Sequence, residues 1–510
     1  MSMTAAPEPE MTLQTLTARL NDILCSANLL IWDSRTQMPA GGAETRGQQI
    51  ATLKGLARDL ILSADMRRAC DDALRAAESL PGDHPDAVAA QAVAAAIDHH
   101  SRIPAALLQA QAESATVSQA AWAQARAASD FAIFRPHLER TVALARRQAD
   151  ALGYQGHPYD AMLPTYEPGE TAASLAALFD SLRAGLRPIL AAARARPAPR
   201  SDFLFRDYAP DAQRAFCAEL APFLGYDLTR GRLDTAVHPF EISFTRSDVR
   251  ITTRFKRDYL PASIFGTAHE VGHALYEQGI DPAFTRTAHA TDMIGLYAVG
   301  GTSFGAHESQ SRLIEMHVAR TPAFWAQHFD RLQRHFPDQL RDVTAAEFAA
   351  AVNRIEPGLI RVEADELTYD FHIMLRVRLE MALMDGSLRV ADLPEAWNAA
   401  IAEDLGLTVP DDARGCLQDI HWSTGYIGSF PTYTIGNIMA AQVMDHLRRT
   451  QPAVTQAAEQ GDLAPLLGAL QTCIWRHGRS RSRDGLLMAM TGRALTVGPY
   501  LDHLRARFAG

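Results

Sequence analysis

Long stretches of this chain repeat their apolar residues at the period of an α-helix. That period leaves little room for any fold that is not mostly helical. The stretches cover 11–31, 45–78, 87–100, 104–127, 130–152, 171–195, 209–223, 311–335 and 436–450, and they are rich in Ala, Leu and Arg. Gly and Pro punctuate them at Pro81-Gly82, Gly153, Pro168-Gly169 and Pro197-Ala198-Pro199. No composition break looks like an interdomain linker, and no fixed-period repeat is evident. The chain has 510 residues and is 47% hydrophobic, enough for a large core. The expectation is a mainly α protein built as one large domain over 1–510, with residues 1–10 a flexible N-terminus.

One stretch breaks the helical pattern. In 238–256, Phe240, Ile242 and Phe244 alternate with Glu241, Ser243 and Thr245, and Val249, Ile251 and Thr253 alternate with Arg250, Thr252 and Arg254. This predicts a β-hairpin with Arg246-Ser247 as its turn. Strand geometry puts Arg250, Thr252 and Arg254 on one face, either a solvated face or one beside a ligand.

The hairpin precedes His269-Glu270-Val271-Gly272-His273. Ile264, Ala268, Val271, Ala274 and Leu275 carry helical apolar spacing through it, Gly279 offers a stop and Pro282 follows. On a helix His269 and His273 share one face, about 40° apart in projection, and can hold one zinc ion. Glu270 is rotated by about 100° from His269, so it misses the metal but reaches a water bound to it. Catalytic zinc takes three protein ligands and keeps one position open. No His follows at the short spacing of metzincins, so the third ligand must come from another helix. Glu308, in His307-Glu308-Ser309-Gln310, is the best local candidate, opening a helix that runs to about Arg320. Glu315 lies two turns further on nearly the same face, and spacing alone does not separate the two.

Composition excludes other classes. Formal net charge is −10, and the basic residues are spread along the chain, almost all Arg, with Lys only at Lys54 and Lys256. That argues against nucleic acid and against an anionic membrane surface. Five scattered cysteines with no CxxC read as reduced thiols of a cytoplasmic protein. Met1 to Met11 does not read as a signal peptide, and no run reaches transmembrane length.

A set of ordered motifs resembles the M32 metallocarboxypeptidases, the carboxypeptidase Taq family. They are His238-Pro239-Phe240, Asp248-Val249-Arg250-Ile251-Thr252, His269-Glu270-Val271-Gly272-His273, His307-Glu308-Ser309-Gln310, Ile360-Arg361-Val362-Glu363-Ala364-Asp365 and Gly415-Cys416-Leu417-Gln418-Asp419-Ile420-His421-Trp422. Similar stretches at Trp32-Asp33 through Met38-Pro39, Tyr159-Asp160 through Glu167-Pro168-Gly169 and Phe430-Pro431-Thr432-Tyr433 extend the match to nearly the whole chain. The resemblance implies a single helical domain with a deep substrate groove, a homodimer, and removal of single residues from peptides with a free C-terminal carboxylate. It implies zinc, with cobalt as a possible substitute, held by His269, His273 and Glu308 in preference to Glu315, and Glu270 as general base. From the same motifs come His421 and Tyr433 as candidates to stabilise the oxyanion, and Arg250 and Arg361 to clamp the substrate carboxylate in a bidentate fork. Asp365 and Asp419 are candidates to orient the ligands, and Gln310 and Gln418 to meet peptide backbone.

One departure stands out. The stretch after the zinc-binding helix is several residues longer than the resemblance leads us to expect, around Thr285 to Gly301. It bears on substrate preference, not on the metal site. Two competing readings remain: a related zinc oligoendopeptidase lacking the carboxylate clamp, and a non-catalytic zinc-containing peptide-binding protein. The second has no need of Glu270.

Overall fold

The computed structural model describes residues 11–510, so the N-terminus expected to be flexible at 1–10 lies outside the described residues. The periodic stretches fold as helices: α1 Leu13–Thr36, α2 Ala43–Leu62, α3 Ala64–Ala77, α4 Pro85–Arg102, α5 Ala105–Ala128, α6 Phe131–Leu152, α7 Ala172–Arg194 and α8 Pro210–Phe223. The run 45–78 is two helices rather than one. Ser63 between them is extended (ψ 154°), and its hydroxyl accepts the Met66 N–H at 3.1 Å. A hydroxyl that caps a helix start also ends the preceding helix, which apolar spacing does not reveal.

The hairpin forms as expected, β2 Glu241–Thr245 and β3 Asp248–Thr253, antiparallel about Arg246-Ser247. A third strand, β1 Gly231–Thr235, pairs parallel with β3 and was not expected. The order β1-β3-β2 leaves β2 at an edge. The face carrying Arg250 is not uniformly solvated, because Thr252 is fully buried and holds Phe240 through its hydroxyl.

Helix α9, Pro261–Gly279, carries both histidines. Its Ile264, Phe265, Val271 and Leu275 are buried against α8 and the helices that follow. Each such side chain contributes about 1.5–3 kcal/mol on burial, which fixes the rotation of α9 and so the direction of His269 and His273. Helix α10 spans Phe304–Arg312 and continues through a π turn, Leu313–Ala319. Ser303 caps it by accepting the Ala306 N–H, so Glu308 sits in its second turn and does not open it. The expected helix 311–335 is therefore interrupted, and α11 begins afresh at Pro322–His335 with Thr321 as its cap. Then come α12 Ala345–Val352, α13 Tyr369–Asp385, α14 Leu393–Leu405 and α15 Pro431–Thr450.

Three large apolar clusters and a small one of Ile103, Leu107 and Leu144 form the interior. One surrounds α9; the second joins α6, α7, α13 and α14; the third lies among α1 to α4. The first two meet where α15 packs on α10. A Cβ at Gly436 would fall 2.6 Å from the Glu308 Cγ, so this approach requires glycine. Among the described residues no helix is long and apolar enough to cross a membrane.

Candidate metal centre

Helix α9 places His269 and His273 one turn apart, with ring centroids 4.9 Å from each other. Helix α10 crosses α9 at Gly272, where a Cβ would lie 2.4 Å from the Gln310 carbonyl oxygen. This backbone contact brings Glu308 to the histidines: its Oε2 is 3.5 Å from His269 Nε2 and 3.2 Å from His273 Nε2. One donor atom from each residue lies within 4.8 Å of the others. Two imidazole nitrogens and one carboxylate oxygen suit zinc and leave a fourth position open.

The rear nitrogens are held as well. His269 Nδ1 meets Glu315 Oε2 at 3.0 Å, and Glu315 is itself fixed by Arg312 and Arg320 at 3.1 and 3.0 Å. Glu308 and Glu315, two turns apart on one face, thus grip opposite nitrogens of a single imidazole. His273 Nδ1 lies 2.5 Å from His307 Nδ1, and His307 Nε2 reaches Glu277 Oε1 at 3.0 Å. Glu277 also accepts the Gly300 and Gly301 N–H groups, so the end of the long 285–301 stretch is tied to this chain of contacts. Such outer contacts fix the tautomer and direction of a ligating imidazole.

The charges agree with the geometry. Burial works against a charged His269, but Glu308, Glu315 and Glu270 outweigh it and raise its pKa well above the ordinary value. Glu308 is buried too, yet His269 and His273 hold it well below the carboxylate range. A metal taken up by these donors would displace a proton. Glu270 is only 5% exposed, and burial foremost pushes it up to about 8, against His269 and a backbone hydrogen bond from Glu241. A divalent cation beside it would oppose that rise. Glu241 is a carboxylate that sequence reasoning missed. It is buried beside Glu277 and Glu270, and burial and those two carboxylates raise its pKa well above the ordinary value. Strand alternation gives it a face but not what covers that face, and nothing local signals its burial.

Of the four expected substrate-binding residues, three come together. Arg361 lies with its guanidinium 5.2 Å from the Tyr433 ring centre, and His421 Nε2 is 3.3 Å from the Tyr433 hydroxyl. Burial first, then Arg361, lowers His421 to about 4, so at neutral pH its ring is uncharged. Arg361 donates to Asp419 and to the Tyr369 hydroxyl. Arg250 stands apart from this group. It forms two 2.9 Å hydrogen bonds to Asp248 and stacks on Trp32 and Phe244 at 4.5 and 4.7 Å.

The other candidates have structural partners. Asp419 binds Arg361 and Arg376, not a metal-site histidine. Asp365 accepts the Leu367 and Thr368 N–H groups ahead of α13. Gln310 lies between Ser309 and Trp475, and Gln418 accepts the Arg361 N–H while donating to the carbonyls of Leu359 and Gly415.

A helical body, a small edge-exposed sheet and an HExxH helix joined by a downstream glutamate define a metallopeptidase. The chain belongs to the M32 metallocarboxypeptidases: it matches the family described as "Carboxypeptidase Taq (M32) metallopeptidase" over residues 12–508. It is 38% identical over 496 residues to thermostable carboxypeptidase 1 of Thermus thermophilus, and 34% identical over 482 residues to carboxypeptidase 1 of Bacillus subtilis. Each alignment covers 94% of both chains. The crystal structure of an M32 carboxypeptidase from Deinococcus radiodurans superposes with a TM-score of 0.91 at 40% identity, covering 97% of this chain and 98% of the other. The protein is thus a peptide hydrolase of the metallocarboxypeptidase kind, and its family implies a divalent metal.

Proposed function

We propose that the chain is a zinc-dependent carboxypeptidase that releases single residues from the C-terminus of peptides. His269, His273 and Glu308 hold the metal, and Glu270 is the general base. The observation that carries this reading is the convergence of three donors within 4.8 Å, with Glu270 on the same helix and outside the set. Bound zinc supplies a Lewis acid that acidifies water and polarises a carbonyl; cobalt could replace it. Glu270 accepts the water's proton and hands it to the leaving amine. The Tyr433 hydroxyl, in contact with neutral His421, donates to the developing oxyanion in this reading. Arg361 is the better candidate for the terminal carboxylate, since it sits beside this pair while Arg250 stands apart from it; each is paired with an aspartate, Asp419 and Asp248.

Digestion of an unblocked peptide, followed by mass spectrometry, tests the reading. A ladder of single C-terminal losses, abolished by C-terminal amidation, is expected. Internal cuts indifferent to amidation would favour an oligoendopeptidase. Metal analysis of the purified enzyme should give zinc. The reading includes one domain, a cytoplasmic location and a homodimer; sedimentation at a protomer mass of 55.7 kDa would exclude the last.

A further inference from the structure

The edge strand β2 suggests which peptides the enzyme prefers. The start of the strand runs along α9 beside the metal centre, with Pro239 against Gly266 and the Glu241 carboxylate 3.9 Å from His307 Nε2, whereas Phe240 is turned inward and its carbonyl accepts the Thr252 N–H at 3.0 Å. An extended substrate can add to such an edge. One end of the edge is closed. Ser243 and Phe244 are buried, the Ser243 carbonyl is taken by Asn28, and its hydroxyl lies against Glu277 and the Ala298 carbonyl. The other end is open, because His238 is exposed. A peptide with its scissile bond at Glu270 therefore leaves along 240, 239 and 238.

At that exit the structure gathers arginines from three separate segments around His238. Arg35 at the end of α1 lies over the Phe240 ring at 5.0 Å. Arg126 at the end of α5 lies over Trp122 at 5.5 Å. Arg254 directly follows β3. After partial burial, the groups that most perturb the His238 imidazole are Arg254, Arg126 and Arg35, all pushing its pKa down. All three arginines are exposed, and no carboxylate of the described residues comes within 4.0 Å of them. Lys256 nearby differs, with Glu363 at 4.0 Å. In a chain of net charge −10 an unpaired basic rim of this kind is unexpected, and a localised cationic field at a cleft mouth concentrates anions.

We propose that Arg35, Arg126, Arg254 and His238 form a subsite for carboxylate side chains upstream of the scissile bond, so that the enzyme favours acidic peptides. The inference rests on the carboxypeptidase reading only in taking the scissile bond to lie at Glu270.

The test uses metal-loaded enzyme and three peptides with identical C-termini, carrying Glu, Gln or Lys at the third residue before the scissile bond. kcat/KM should fall in the order Glu, Gln, Lys, with about a 10-fold span at low salt, the size expected of a few exposed ion pairs together. The span should shrink in 0.5 M NaCl, since exposed charges are screened. In the triple variant Arg35→Gln, Arg126→Gln, Arg254→Gln the Glu-to-Lys ratio should approach one while the Gln peptide is cut at the wild-type rate. A wild-type ratio near one, or a ratio unchanged in the triple variant, would overturn the proposal. Calorimetric binding of the Glu and Lys peptides to Glu270→Gln protein, with and without the three changes, makes the same distinction without turnover. Failure of the assigned chemistry and failure of the subsite are thus read separately.

Discussion

The two sides of the metal centre are built differently. On the α9 and α10 side, both imidazoles are held from behind, His269 by Glu315 and His273 by His307, and Glu315 and Glu277 are held in turn. On the facing side Arg361 is held by Asp419 and Tyr369, but the Tyr433 hydroxyl meets only His421 among the described residues, and the buried Nδ1 of His421 has no hydrogen-bond partner. Ligands must keep one geometry, so their donors are locked by side chains from a packed core. Groups that receive a substrate keep some hydrogen-bonding capacity in hand for it. Two arginines that sequence motifs rank together are both paired, Arg250 with Asp248 and Arg361 with Asp419 and the Tyr369 hydroxyl, but only Arg361 also lies beside Tyr433.

The largest effect expected from this contrast is at Glu270. Glu270→Gln should keep its metal and lose ~10²–10⁴-fold in turnover, the usual worth of a general base. Wild-type activity at normal metal content would remove the residue from the mechanism.

On the locked side, Glu308→Ala should lose the metal, and Glu315→Gln should weaken it by roughly 10–100-fold, as for other residues that orient a ligand. Competition with a chelator measures both. Equal loss in the two variants would mean that Glu315 ligates.

Next come the arginines. Arg361→Ala should cost at least ~10-fold in kcat/KM on free-acid peptides, because a charged hydrogen bond contributes roughly 1.5–3 kcal/mol. It should cost much less on the matched amides. Arg250→Ala should cost less on the acids than Arg361→Ala does. The reverse order would make the Asp248 pair, not the Tyr433 cluster, the carboxylate site.

The smallest effect concerns stability away from the metal. Burial pushes Glu380 up to about 7, although Tyr159, Gly428 and Trp422 all hydrogen-bond it. An acid whose folded pKa is raised binds more protons folded than unfolded, so its contribution to stability falls as pH rises from about 4.5 to about 7 and is flat above. Glu380→Gln should therefore gain on the wild type as pH is raised from 5 to 8, whatever its absolute Tm. Parallel Tm curves for the two proteins would show that Glu380 does not titrate in that window.

Sequence by itself determined the helical body, the hairpin with its turn at Arg246-Ser247, and the shared face of His269 and His273. These depend on periods of two and 3.6 residues and on positions within a turn or two, which neighbouring residues alone enforce. Ordered motifs supplied the family and named Glu308, although spacing left Glu315 equally eligible. Only the tertiary structure shows how both are used: Gly272 and Gly436 let three helices touch, which puts one carboxylate at each nitrogen of His269. The break at Ser63 and the strand Gly231–Thr235 were hidden because a cap and a parallel pairing carry little apolar pattern. Glu241 was not singled out, because alternation gives a side chain its face but not what covers it. Basic residues looked evenly scattered along the chain, yet positions 35, 126, 238 and 254 meet at the exit of one strand. No local rule relates residues that far apart. Their meeting depends on how helices stack, and stacking follows from burial summed over the whole molecule.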